Sequence, residues 1–348
     1  MADVTERIYG ALAGAAVGEA MATATATWTP EQIVEANGGY VTTLTRPAPS
    51  TRCKGLLEPG QVSDGFSFTY LMVHSTIEHG GLILPEEAEE TLLKWWDDPR
   101  YRPLAGISSA LAYERLGQRS GEGYRYPYLT FDHHKATIEA AARAAAVAVF
   151  FPGDPDMAVE QVVSAYRTVF DNTVGLSGAG AAAAAISAAL SGEATFYDVL
   201  SAAVYGARRG LETAESYRVQ PAACASVERR IQMAVEIGLR YRGRFDLALR
   251  ELDQCIGTGS FANESVATAI GCVAACGGDA RESIKMAVNI GNETEPMANV
   301  VGAIVGALHP EALDPRDITL VERVNGFDLQ AVSERIAILN RENAHYYI

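Results

Sequence analysis

The sequence predicts an all-α protein, and three observations carry that prediction. Apolar residues recur at three- and four-residue spacing through most of the 348 residues, the pattern of helices buried along one face. Several of these runs open with helix-start chemistry: Thr29-Pro30-Glu31-Gln32 supplies an N-cap, a proline at the first helical position and a glutamine three residues after the cap. Clear period-two alternation is missing, apart from residues 40–44, which read as a short strand. Composition does not change abruptly along the chain, so one large domain over residues 1–348 is expected, although that length exceeds the usual ~50–250 residues of a domain.

The bulk numbers bound the function. A hydrophobic fraction of 48% is ample for a core, and the net charge of −15 argues against nucleic acid or an anionic membrane surface as partner. A small molecule remains the expected partner, and nothing in the sequence speaks against an oligomer. No signal-peptide pattern opens the chain. The richest apolar run, Gly175 to Leu190, is mostly Ala and Gly and suits a tightly packed buried helix. Cys53, Cys224, Cys255, Cys272 and Cys276 form an odd set without C-x-x-C pairs. They read as buried thiols in a reducing cytoplasm.

Taken in order, residues 5–22 carry Gly10, Gly14 and Gly18 at four-residue spacing, hence on one helical face, with Glu19 near the helix end. Residues 40–62 are irregular. Ser63 or Asp64 then provides an N-cap for an apolar helix. Residues 86–118 form two helices around a break at Asp97-Asp98-Pro99, with Trp95 and Trp96 before it, one buried and one partly exposed. Residues 119–130 are a Gly/Tyr/Pro loop in which Arg125 and Tyr126 could line a pocket for a base or sugar. Asp132-His133-His134-Lys135 opens a long Ala-rich helix to Phe151, with Asp132 and His133 as polar contacts at its start. Helices follow one another from Pro155 to Val288, broken at Gly257-Thr258-Gly259-Ser260. That break is not a phosphate loop, because no Gly-Lys-Ser/Thr follows. Finally, Asn289 to Leu308 places Glu293 and Glu295 in a Gly/Asn/Thr turn, with Pro296 at the first position of a small-residue helix. Gly302 and Gly306 mirror the glycines of the first helix, so the two helices are expected to cross at close range.

Asp64, Glu293 and Glu295 thus stand at two helix starts far apart in sequence, where unpaired amides favour negative charge. With the Ser63 and Thr294 hydroxyls they offer oxygen ligands for a hard cation such as Mg²⁺. Without a cation, crowded carboxylates raise one another's pKa and leave one as acid and another as base. Either arrangement suits hydrolysis of an acetal-type C–N or C–O bond.

Over nearly its whole length the chain resembles the ADP-ribosylglycohydrolase family. G-A-L-A-G-A-A-V-G-E-A-M-A is similar to that family's opening G-x-L-x-G-x-x-x-G-D-A-x-G. G-Q-V-S-D-G-F-S is similar to G-x-x-T-D-D-T, and A-V-N-I-G-N-E-T-E-P-M-A-N-V-V-G-A-I-V-G-A-L to A-V-x-x-G-G-D-T-D-T-x-A-x-x-x-G-A-x-x-G-A. The resemblance implies a compact all-α fold, two Mg²⁺ ions and cleavage of N- or O-glycosidic bonds to ADP-ribose. Position by position, the first metal motif reads Ser63, Asp64, Gly65 and Phe66. The last reads Glu293, Glu295 and Pro296, and a family glutamate falls near Ala26. The expectation is therefore a divergent glycohydrolase on a ribose-containing small molecule, with Asp64, Glu293 and Glu295 as catalytic groups or ligands of a single Mg²⁺, or with no metal. Ser63, Asp132, His133, Tyr126 and Arg125 would contact substrate. Two other readings stay open on the same scaffold: a metal-independent enzyme on a different metabolite, and a non-catalytic binding protein.

Overall fold

A computed structural model describes residues 2–56, 58–119 and 135–344. Their α-helices are α1 (Val4–Ala22), α2 (Pro30–Asn37), α3 (Asp64–Glu78), α4 (Pro85–Trp96), α5 (Ile107–Arg119), α6 (Glu139–Ala142), α7 (Ala145–Ala148), α8 (Pro155–Tyr166) and α9 (Thr173–Leu190). They continue with α10 (Phe196–Ser216), α11 (Val227–Arg240), α12 (Phe245–Cys255), α13 (Ala262–Cys276), α14 (Ala280–Asn289), α15 (Thr294–Leu308), α16 (Pro315–Asn325) and α17 (Leu329–Ala344). No strand occurs among the described residues. An isolated antiparallel bridge joins Thr137 to Phe261, so the expected all-α class is what the chain adopts.

Helices α1 and α15 lie antiparallel at the centre, and their glycines interlock. A Cβ on Gly14 would fall inside the van der Waals shell of the Gly302 carbonyl, one on Gly10 against the Gly306 carbonyl, and one on Gly18 against the Ala298 carbonyl. Only glycine permits such backbone approach. Arg7 then closes the end of α15: its Nη1 donates to the carbonyls of Ala307 (2.9 Å) and Leu308 (3.3 Å), which lack helical partners. Helix α9 is the one helix among the described residues long and apolar enough to cross a membrane, and it is buried within the protein.

Local chemistry explains most boundaries. Thr29 and Gln32 form the expected reciprocal capping box of α2, and Trp95 is buried while Trp96 stacks on Tyr113. Four expectations are corrected. Residues 40–44 are not a strand: the side chain of Asn289 takes the place of a partner strand, accepting from Val41 N and donating to Val41 O, each at 2.8 Å. Pro296 is the third residue of α15, not the first, because Thr294 and Glu295 already have helical geometry. Ser63 occupies the N-cap position of α3 but makes no side-chain cap. The Ala-rich run is not one helix: it breaks at Arg143, whose own Nη1 takes the Glu139 carbonyl at 3.0 Å. Asp132, placed at the start of that run, lies outside the described residues.

The close crossing gives a direct stability test. Gly14→Val is expected to lower the unfolding free energy by roughly 3 kcal/mol or more, because it forces backbone apart rather than a side chain. Gly55→Ala, with no described atom within 4 Å of the added Cβ, should leave it near the wild-type value in a urea titration.

Candidate active site

The α1–α15 crossing brings the end of the first helix beside the turn before the fifteenth. Reciprocal backbone bonds pin that turn: Thr27 N donates to Asn292 O and Asn292 N to Trp28 O, both at 2.8 Å. Asn292 and Gly291 hold left-handed φ values of 57° and 96°, which tightens the turn so that Glu293 follows as the N-cap residue of α15. Helix α3 packs alongside and contributes Asp64 at its first position. Helices α6 and α7 add Glu139 and, at the break between them, Arg143. The Ser260 loop is drawn in by Ile138 N, which donates to Ser260 O at 2.9 Å. Together these segments enclose a cavity of about 210 Å³, lined by Glu19, Arg52, Ser63, Asp64, Glu139, Arg143, Ser260 and Glu293 among others.

The carboxylates around this cavity have different partners. Glu19 is fully buried and caps α3 from outside the helix. It accepts from Ser63 N and Phe66 N at 2.9 Å, from Ser63 Oγ at 3.1 Å and from Asn299 Nδ2 at 2.7 Å. This is why Ser63 makes no cap of its own. Burial, helped by the charges of Asp64 and Glu295, pushes Glu19 up to about 7 against the pull of the Phe66 amide and Asn299. Glu139 accepts from Ser108 N (2.8 Å), Ser109 N (3.0 Å), Ser109 Oγ (2.5 Å) and Thr137 Oγ1 (3.0 Å). Glu295 is buried behind the cavity wall and accepts from Cys53 Sγ at 3.3 Å.

Two guanidinium groups balance these charges. Arg52 Nη2 lies 3.3 Å from Asp64 Oδ1 and 3.1 Å from Glu295 Oε1. The charge of Glu295 first, then those of Asp64 and Glu293, hold Arg52 protonated more firmly than a free arginine. Arg143, 1% exposed, donates from Nη2 to the other Asp64 oxygen at 2.9 Å. Its guanidinium carbon lies 5.2 Å and 5.4 Å from the ring centroids of Phe68 and Phe170, within the range of cation–π attraction. Both Asp64 oxygens are thus occupied by arginine.

Glu293 is the exception. Its carboxylate faces the cavity with no hydrogen-bond or ion-pair partner among the described residues. Burial raises it to about 7, with Glu295, Asp64 and Glu139 adding to the rise and Arg52 opposing it. Glu19 is raised as far but is held by fixed donors, so among the described residues Glu293 is the acid of the cluster free for proton transfer near neutral pH.

A family model for ADP-ribosylglycohydrolase matches residues 1–345. The chain belongs to the ADP-ribosylglycohydrolase family. It is 26% identical over 339 residues to the uncharacterized protein YegU of Escherichia coli (strain K12), covering 96% of this chain and 97% of that one. It shares its fold with a solved chain titled ADP-ribosylglycohydrolase-related protein complex, with a TM-score of 0.67 at 19% identity, covering 98% of this chain and 100% of that one.

Within the ADP-ribosylglycohydrolase scaffold, the departures from the family motifs are now explained physically. Glu19 stands where the opening motif has aspartate, and its extra methylene carries the carboxylate across to α3. There it fills the space above Gly65, where any Cβ would collide with Glu19 Oε2. The glycine at that motif position is the complement of the longer acid. Ala26, where a family glutamate is missing, is buried in a small apolar cluster with Cys53, Leu56 and Leu104.

Of the residues singled out in the sequence, Ser63, Asp64 and Glu293 line the cavity, and Glu295 supports it from behind. Arg125, Tyr126, Asp132 and His133 lie outside the described residues. As a Mg²⁺ site, Asp64, Glu293 and Glu295 do not fit. Arg52 already lies between Asp64 and Glu295, Arg143 holds the second Asp64 oxygen, and Mg²⁺ demands oxygen ligands at ~2.1 Å in octahedral order. No group of three or more His, Cys, Asp or Glu among the described residues is arranged to hold a metal ion. Glu19, Arg52, Glu139 and Arg143 escaped the sequence reading. Arg143 had a signal, a lone charge inside an alanine run four residues after Glu139; Arg52 sits in an irregular loop and had none.

The raised acids set a pH dependence of stability. A carboxyl group moved from 4.5 to about 7 on folding keeps its proton in the native state while the unfolded chain has released it. Stability contributed by Glu19 and Glu293 is therefore present in the acid part of that window and is lost as pH rises through about 7. Glu293→Gln removes one of the two groups, so its urea midpoint should change less than that of the wild type between about pH 5 and about pH 8.

Proposed function

We propose that this protein is a glycohydrolase that cleaves an N- or O-glycosidic bond of a ribose-containing small molecule, with Glu293 as the general base that activates water. The observation that carries this reading is the contrast between Glu293 and every other acid at the site. Asp64, Glu19, Glu139 and Glu295 each have fixed donors, whereas Glu293 faces the cavity with no partner among the described residues and its pKa is raised to about 7. A base poised near the working pH is the efficient choice for proton abstraction.

The other groups have supporting roles in this reading. Asp64, with one oxygen paired to Arg52 and the other to Arg143, fixes the two guanidinium groups at the cavity wall and is a positioning residue. Glu295 acts through Arg52 and is a positioning residue. The Ser260 segment and the free edge of Arg52 provide polar groups for ring hydroxyls. A cavity of about 210 Å³ is smaller than the ~300–1,000 Å³ of sites that enclose drug-sized ligands. It suits one sugar ring, with the rest of the substrate outside.

The test is a panel of ADP-ribosylated, ribosylated and nucleoside-like substrates, read by release of the sugar or its aglycone. With a substrate in hand, Glu293→Gln should lower kcat by about 10²–10⁴-fold with little change in KM. The wild-type kcat/KM should rise with pH and level off above about 7, because the base works only when deprotonated. A Glu293→Gln enzyme with wild-type turnover would remove Glu293 from the chemistry.

A further inference from the structure

We infer that Arg52 and Arg143 serve as the site's permanent cations, in place of the divalent ions implied by the family motifs, so that the acidic cluster is complete without metal. The inference deepens the proposed reading of this site, but it stands on the partners of each carboxylate rather than on Glu293 as base. Magnesium is held through one or two free carboxylates, completed by water in near-ideal octahedral order, and it needs those carboxylate oxygens unclaimed by other cations. Here Glu19 is saturated by Ser63, Phe66 and Asn299, and Glu139 by Ser108, Ser109 and Thr137. Asp64 is held on one oxygen by Arg52 and on the other by Arg143, and Glu295 on its Oε1 by both Arg52 and Cys53.

The substitutions are mutually consistent. Losing the acid at Gly65 makes room for Glu19 Oε2. The longer Glu19, at the cavity wall, spends its carboxylate on the first amides of α3. With Glu293 outside the pairing, two of the three remaining motif acids, Asp64 and Glu295, converge on the Arg52 guanidinium. That group is planar, always charged and rich in donors. It spends Nη2 on two carboxylates, and its Nε, buried, and Nη1 have no partner among the described residues. Arg52 side-chain exposure is 30%, so the unspent edge can donate to a substrate oxygen, as a bound cation would attract it.

Titration of chelator-treated protein with Mn²⁺, followed by the electron paramagnetic resonance signal of the free ion, tests this without any substrate. Wild-type protein is expected to bind no stoichiometric Mn²⁺, and Arg52→Lys, which keeps the charge, should behave likewise. Arg52→Ala frees Asp64 and Glu295 beside Glu293 and should bind one ion at least about tenfold tighter than wild type. Should Arg52→Ala fail to fold, Arg52→Gln, closer in volume, takes its place. Stoichiometric binding by the wild type, or no gain in a folded neutral variant, would overturn the inference. Loss of turnover in Glu293→Gln together with wild-type Mn²⁺ binding would leave the catalytic reading standing and remove this one.

Discussion

Everything at the candidate site depends on one backbone contact, the antiparallel crossing of α1 and α15 through facing glycines. Helices with ordinary side chains pack about 8–10 Å apart. At Gly14 and Gly302 neither helix has room for a Cβ. That closeness sets the end of α1, with Glu19, directly against Asn299 in the second turn of α15. The Thr25 and Thr294 hydroxyls, 3.1 Å apart, seal the same junction. Any wider crossing would separate Glu19 from the segment that carries Glu293 and Glu295.

A second constraint follows from concentrating acids in a buried place. Five carboxylates, Glu19, Asp64, Glu139, Glu293 and Glu295, surround or back a single cavity. Desolvation and mutual repulsion both oppose ionising all of them. The structure answers in three ways. Helix-start amides take up Glu19 and Glu139, guanidinium groups take up Asp64 and Glu295, and the rest of the cost appears as the raised pKa of Glu19 and of Glu293. The proposed chemistry is a consequence of that division: the group left without a partner is the group free to exchange a proton.

Legibility in the sequence followed the range of the interaction. The capping box at Thr29 and Gln32 and the break after Trp96 depend on neighbours within a few residues, and both were readable. The glycine faces were readable as well, because a four-residue repeat of the smallest side chain in two helices has few uses other than mutual approach. The errors arose where a distant group overrides local preference. Ser63 has the chemistry of an N-cap, yet Glu19, 44 residues earlier, takes that role. Residues 40–44 alternate like a strand, yet their partner is one asparagine side chain, Asn289, 248 residues away.

By itself the sequence determined the helical class, the crossing of the two glycine-lined helices, and the convergence of Asp64 with the Glu293 turn. These follow from periodicity, capping chemistry and the size of side chains, all written into short stretches of chain. Only the tertiary structure decided what each acid does. Charge pairing and desolvation act through space, and the partners that matter, Arg52 in an irregular loop and Arg143 at a break in an alanine run, sit at no spacing that a linear pattern records.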